Sequence, residues 1–145
     1  MKKYLILGIV VAIIMGVIFV PRFILNKDDS NVKFDILKEE EIPQQIMNIL
    51  PKYIAKERAL SCRIDDNVYV IVTRGEKKSS GYTVSIDKIT QEKIDDKTVM
   101  TVYALYSDPG VNQVVNPVIT YPYVVAKTNL SELPNKIKLQ VEYKR

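Results

Sequence analysis

Histidine and tryptophan are absent from the 145 residues of this sequence, which has a single cysteine and five glycines. Without histidine, the chain cannot form a Ser-His or Cys-His nucleophile pair or a histidine-containing zinc site. One cysteine excludes an intramolecular disulfide, and we expect Cys62 to be an unpaired buried thiol because free cysteine is among the most buried residue types. These absences remove the commonest routes to catalysis, so we predict no enzyme activity, no cofactor and no metal site.

With histidine-dependent catalysis excluded, the remaining candidate is a Ser-Lys dyad, formed by Ser79 or Ser80 with Lys77 or Lys78. A lysine that acts as a base must be desolvated so that its pKa falls. These lysines lie in a polar run next to glycine, where we expect solvent exposure. The dyad is therefore not part of the predicted function.

The charge balance argues against nucleic acid as a partner. The chain has 21 basic and 17 acidic residues, but Lys2, Lys3 and Arg22 flank the apolar N-terminus. Taking these three from the 21 leaves 18 basic residues against 17 acidic ones. A nucleic-acid-binding domain needs clustered basic residues on one face, and this balance gives no sign of them.

An uncharged run of 17 residues, Tyr4 to Val20, dominates the N-terminus. As a helix it spans roughly 26 Å, and apolar residues up to Leu25 extend it toward the ~30 Å hydrocarbon core. No small-residue cleavage site follows, so we predict a retained signal anchor over residues 1–25, with residues 4–25 in the membrane. The flanking charges place the N-terminus in the cytoplasm, which predicts a single-pass cell-membrane protein with an extracytoplasmic C-terminal domain.

The residues after the anchor divide into a linker and a domain. Residues 26–41 are rich in charge and are predicted to be a juxtamembrane linker that includes a short strand at residues 32–37. An apolar stripe then predicts a bent amphipathic helix from about Pro43 to Leu60, with Pro51 on its solvent side. We assign residues 42–145 to the extracytoplasmic domain.

The rest of the domain reads as β-strands. Residues 68–89 predict a hairpin whose first strand is covered on both faces and whose loop runs from Gly75 to Gly81. Further strands are predicted at residues 99–106, at residues 118–128 with an interruption at Pro122, and from Lys136, where apolar and polar residues alternate. The fold class is α+β, mainly β: a transmembrane helix, then one amphipathic helix on a mostly antiparallel sheet or sandwich of about five or six strands.

Three sequence elements resemble those of a known family: RGEKKSSGYTVSI from Arg74, then Asp108-Pro-Gly, then ITYPYVVAK from Ile119. Their order is similar to that of the C-terminal domain of the protease-complex subunit PrcB, over about residues 67–127. Ser80 stands where a second glycine is usual. The resemblance implies an exported, non-catalytic domain that helps to assemble or stabilise a surface protease complex, and hence a protein partner, a protease being the candidate.

The same elements supply a candidate partner-binding surface, because tyrosines bury a large area at interfaces and keep a polar end. Its predicted residues are Lys78, Ser79, Ser80, Gly81, Tyr82, Pro109, Gly110, Tyr121, Pro122 and Tyr123. Three alternatives stay open. The loop of residues 75–81 can be only a solvated turn; the segment from Ser79 to Tyr82 also resembles a loop of chagasin-type protease inhibitors; and the domain can bind an envelope polymer or another ligand.

Overall fold

The computed structural model describes residues 31–144, so the predicted anchor lies outside the described part of the chain. Among residues 31–144, no helix has the length and apolar character needed to cross a membrane. In chain order the elements are β1 Phe34–Ile36, α1 Gln44–Tyr53, β2 Glu57–Ile64, β3 Asn67–Arg74, β4 Thr83–Ile94, β5 Lys97–Ser107, β6 Tyr123–Thr128 and β7 Lys136–Tyr143. A 3₁₀ turn at Glu39–Glu41 precedes α1.

The strands form two sheets. The first has the order β1-β6-β3-β2 with every pair antiparallel. The second has the order β4-β5-β7, in which β4 and β5 are antiparallel and β7 is parallel to β5. The prediction of a mainly β fold with one helix is confirmed for residues 31–144, with seven strands there instead of five or six.

β3 separates two apolar cores. Val70 and Val72 face the second sheet, where they meet a cluster that includes Met100 and Tyr106. Tyr69 and Ile71 face the other way, toward the apolar side of α1. A strand buried on both faces carries apolar residues at successive positions, and the prediction that this strand is covered on both faces is confirmed. Each side chain buried in this way contributes roughly 1.5 to 3 kcal/mol to folding.

The predicted helix was too long. α1 ends at Tyr53, and Glu57 already pairs with Arg74 at the start of β2. The edge of β3 offers a full antiparallel partner to residues 57–64, and this tertiary pairing overrides the helical spacing of the apolar residues. Pro51 lies on the exposed side of the last helical turn, as predicted, where its missing N–H costs little.

The predicted hairpin of residues 68–89 is also wrong. β3 pairs with β2 on one edge and β6 on the other, so no edge is free for β4, which lies in the second sheet. Residues 75–82 therefore cross from one sheet to the other. Gly75 and Gly81 have φ angles of +91° and +97°, which glycine adopts without steric cost.

The true hairpins are the β2–β3 and β4–β5 pairs. Each turns through two aspartates, Asp65-Asp66 and Asp95-Asp96, whose φ angles of 48°, 64°, 51° and 63° are those of type I′ turns. The sequence predicts a turn at both pairs, because they lack the spacing of a calcium-binding loop, and this prediction is confirmed. So is the short strand within residues 32–37, which pairs with β6, whereas the strand predicted from residue 118 begins only at Tyr123, directly after Pro122.

The strand directions define two ends of the sandwich. At the end that we call the base lie Val32, both aspartate turns and residues 129–135. At the opposite end, the tip, lie the crossover loop of residues 75–82 and the long loop of residues 108–122. The eight residues of β3 put about 26 Å between the two ends.

Candidate protein-interaction surface at the tip

Backbone hydrogen bonds fasten the two tip loops to each other. The N–H groups of Lys77 and Thr120 each donate to the other residue's carbonyl at 2.9 Å. The Ser80 N–H donates to the Asn116 carbonyl at 3.0 Å, and the Asn116 N–H donates to the Ser80 Oγ at 2.9 Å. The Thr120 hydroxyl donates to the Ser79 carbonyl at 2.8 Å. The long loop therefore has a defined path across the crossover loop.

Gly81 allows the closest approach between the loops. A Cβ atom at this position would lie 2.9 Å from the Pro109 Cβ and 3.0 Å from the Val115 Cγ1, closer than carbon atoms pack. Its φ of +97° also disfavours any side chain. Glycine at this position is thus required both by the backbone and by the neighbouring loop.

Arg74, the last residue of β3, holds the tip to both sheets. Its guanidinium donates to the Thr83 carbonyl at 3.1 Å, to the Ser107 carbonyl at 2.9 Å and to the Asp108 carboxylate. Only 4% of Arg74 is exposed. Because Thr83 begins β4 and Ser107 ends β5, a single buried cation joins three strands and the first residue of the long loop.

Three tyrosine rings surround this guanidinium. Its carbon lies 5.0 Å from the ring centre of Tyr82, 4.6 Å from that of Tyr106 and 5.8 Å from that of Tyr143. Such contacts between a cation and an aromatic face are strongest where water is excluded. Burial raises the pKa of the Tyr106 phenol, and the nearby Glu57 carboxylate raises it further.

The long loop exposes most of the large apolar side chains that reach solvent. Nine such residues are exposed among residues 31–144, and five belong to this loop: Val111, Val114, Val118, Ile119 and Tyr121. Val111 and Val114 are almost fully exposed, at 103% and 94%. Contiguous exposed apolar side chains mark interaction sites more often than isolated ones do. We call these five residues the apolar tip patch.

Two lysines without an ion pair lie beside this patch in the described part of the chain. The Glu76 carboxylate accepts a hydrogen bond from the Tyr121 hydroxyl at 3.2 Å, which raises the pKa of Tyr121, and Asp108 is paired with Arg74. Within the described residues, neither Lys77 nor Lys78 forms an ion pair. The Lys77 ammonium lies 5.4 Å from the Tyr82 ring centre, and Lys78 is exposed.

The structure brings together most of the residues predicted for the partner-binding surface. Ser79, Ser80 and Gly81 contact the long loop, and Tyr121 of the long loop donates a hydrogen bond to Glu76 of the crossover loop. Pro109 packs on Gly81, and Lys78 and Gly110 are exposed nearby. Tyr82 stacks on Arg74, and the Pro122 carbonyl accepts a hydrogen bond from the Arg74 N–H.

Tyr123 is the predicted residue that lies elsewhere. It packs into the apolar layer beneath α1, where burial and then the Glu39 carboxylate raise its pKa. Arg74 and the exposed valines were not among the residues predicted from the sequence. The sequence did carry a signal for the valines: a long connection that is rich in valine but lacks the alternation of a strand. Loops of this length in compact domains are commonly functional.

Cys62 is unpaired, as predicted, but only half-buried. It lies in an open groove of about 440 Å³ between α1 and β2, with Ile46, Ile49 and Ile64 among the lining residues. Burial raises the pKa of the thiol. A thiol with a raised pKa is a weaker nucleophile at neutral pH, so this groove offers no activated cysteine.

The chain thus forms a two-sheet β domain with an exposed apolar surface on its long loop, which hydrogen bonds hold to the crossover loop. Residues 68–129 match the family model described as PrcB C-terminal, which confirms the resemblance drawn from the sequence. The match runs from β3 to the end of β6 and so includes both tip loops. No curated protein and no solved structure matches the chain.

Proposed function

We propose that this protein is a single-pass membrane protein whose extracytoplasmic domain works by protein-protein contact at its tip, as a subunit that assembles or stabilises a protease complex. The observation that carries the proposal is the apolar tip patch. Five apolar side chains are exposed on a loop that is held in place by hydrogen bonds. The match of residues 68–129 to the PrcB C-terminal family supports a protease complex as the setting.

Exposed valine and isoleucine side chains gain free energy when a partner removes them from water, at about 25 cal/mol per Å². The loop that carries them is already ordered by its bonds to the crossover loop, so binding loses less conformational entropy than the ordering of a free loop would. Both effects favour the binding of a partner protein to the apolar tip patch.

The inhibitor alternative depends on a free loop from Ser79 to Tyr82. All four residues of this segment are half-buried, and Ser79 and Ser80 are bonded to the long loop. A cleft-binding wedge needs an exposed loop apex, and here residues 111–119 provide it instead. Contact through the long loop is therefore the better supported function.

The test is site-specific photocrosslinking in native membranes with the full-length protein. A photoreactive residue at Val114 reports on the tip, and one at Leu133, which is 48% exposed and lies at the base, is the matched control. We expect Val114 to give an adduct with an exported protein identified by mass spectrometry. If neither position gives a protein adduct, the proposed function is wrong.

A further inference from the structure

We infer that the tip recognises a protein surface with an apolar recess bordered by carboxylates, in which the apolar tip patch fills the recess and Lys77 and Lys78 face the acidic border. This inference rests on the proposed function and specifies the chemistry of the partner. It assigns an ionic role to two lysines and an apolar role to a patch of which four residues, all but Tyr121, lie outside the surface predicted from the sequence.

The ionic part follows from which charges at the tip are already paired. Asp108 is paired with Arg74, and the Glu76 carboxylate accepts a hydrogen bond from the Tyr121 hydroxyl. Lys77 and Lys78 form no ion pair with any of residues 31–144. Complementary charges at the rim of an interface raise the association rate and select the partner.

The apolar part follows from the shape of the long loop. Val111 and Val114 stand free of the domain, while Val115 packs inward against Gly81. The Ser80 and Asn116 bonds fix the loop on the C-terminal side of these valines, and the Gln113 N–H donates to the Gly110 carbonyl at 3.0 Å within it. A fixed, protruding apolar knob requires a concave apolar partner site.

An anionic membrane is the competing occupant, and the tip fits it less well. Proteins that lie on membranes use aromatic rings at the headgroup level together with clusters of basic residues. The sequence has no tryptophan, and Tyr121, the one aromatic residue of the patch, is already bonded to Glu76. Two lysines supply only about 1 kcal/mol each near an anionic surface.

The experiment uses the partner identified from the Val114 adduct, purified, and the full-length protein in nanodiscs of neutral phosphatidylcholine. K77E/K78E is compared with K136E/K138E, which makes the same charge change on exposed lysines of β7. We expect K77E/K78E to weaken binding about tenfold at low salt, with a smaller difference at high salt, where the Debye length shortens. K136E/K138E should leave the affinity unchanged.

The apolar contribution is measured with V111S/V114S, against I94S/L133S at exposed apolar sites near the base. We expect the first pair to weaken binding by at least about tenfold at every salt concentration and the second pair to have no effect. Thermal unfolding of each variant checks that the fold is intact.

Three outcomes would overturn the inference. If a partner crosslinks at Leu133 and not at Val114, the contact is not at the tip. The inference then fails together with the tip location in the proposed function, and only the role as a protein-interaction subunit survives. Equal losses for K77E/K78E and K136E/K138E would remove the assigned role of the two lysines. The third outcome is binding to a membrane. The full-length protein in neutral nanodiscs would then bind vesicles that contain phosphatidylglycerol, this binding would weaken with salt, and V111S/V114S would abolish it.

Discussion

The base and the tip of the sandwich differ in how they use the chain. At the base, the β2–β3 and β4–β5 connections reverse direction through two aspartates each, the shortest turns that a hairpin permits. At the tip, the connection between β5 and β6 takes residues 108–122 and exposes five apolar side chains. Polar residues reverse the chain at the base, whereas the long loop at the tip presents apolar residues to solvent.

The two ends also differ in what holds them. The aspartate turns are stabilised by the strands on either side and by local contacts such as the Arg63–Asp66 ion pair. The tip is held by contacts distant in sequence: Arg74 to Asp108, Lys77 to Thr120 and Ser80 to Asn116. A loop that is fixed in this way serves contact better than a free one, since less entropy is lost on binding.

The largest effect that separates the two ends is expected from Arg74→Met. The substitution leaves the Thr83 and Ser107 carbonyls without their donor and removes a cation from three tyrosine rings, so we expect a loss of about 3 kcal/mol in the free energy of unfolding. Asp108 adds little, because 52% of its side chain is already in water. The measurement is urea unfolding of the full-length protein in detergent, followed by circular dichroism.

Arg58→Met is the matched control for this prediction. Arg58 is half-buried and contacts a single ring, that of Tyr53, at 5.4 Å. Its loss should cost less than about 1 kcal/mol. Equal losses for the two arginines would show that the tip is not fastened by Arg74.

The second prediction concerns the contact between the two tip loops. Gly81→Ala places a Cβ atom 2.9 Å from Pro109 and 3.0 Å from Val115 at a positive φ, so we expect destabilisation of about 2 kcal/mol and weaker crosslinking from Val114. Gly110→Ala is the control, because a Cβ there meets no atom within 4 Å. Its effect should stay within about 0.5 kcal/mol, and a loss as large as that of Gly81→Ala would contradict the close contact.

The fold was predictable from the sequence where a local pattern has one meaning. Successive apolar residues in β3 required cover on both faces, and the paired aspartates fitted turns. The hairpin failed because glycines at 75 and 81 suit a crossover as well as a hairpin, and the choice depends on β6, which takes the second edge of β3. The helix was overextended because the spacing of apolar residues does not reveal a strand partner.

The candidate site was predictable where the resemblance supplied the order of its three elements. The pairing of Ser80 with Asn116 and the packing of Pro109 on Gly81 bring these elements together as expected. Exposure of Val111 and Val114 was not predictable, because the same residues would be buried in a strand. Arg74 was missed for a related reason: a charged residue at a strand end is usually solvated, and its burial depends on tyrosines far along the chain.

The third prediction tests whether water is excluded from the Tyr106 ring beneath the tip loops. The pKa of the Tyr106 phenol is raised by burial, so the folded state resists ionisation that the unfolded chain undergoes near pH 10. Below about pH 10 the shift has no effect on stability, and above it stability falls as the pH rises. Between about pH 10 and pH 11.5 we expect a loss of about 1.5 kcal/mol in the unfolding free energy that is absent in Tyr106→Phe. Tyr103→Phe is the control and should leave the dependence of the unfolding free energy on pH unchanged. If Tyr106→Phe also left it unchanged, the Tyr106 ring would not be excluded from water.

The smallest effect is expected at the base. Asp96 has a φ of 63°, a conformation that glycine adopts without strain, so Asp96→Gly should stabilise the protein by about 0.5 kcal/mol. Asp66→Gly, at a φ of 64°, should gain less because it also removes the ion pair with Arg63. Both gains are read from urea unfolding, together with the yield of the Val114 adduct. If the base only turns the chain and the tip alone makes contact, stability rises while the adduct yield stays constant; a fall in yield would mean that the base also takes part in binding.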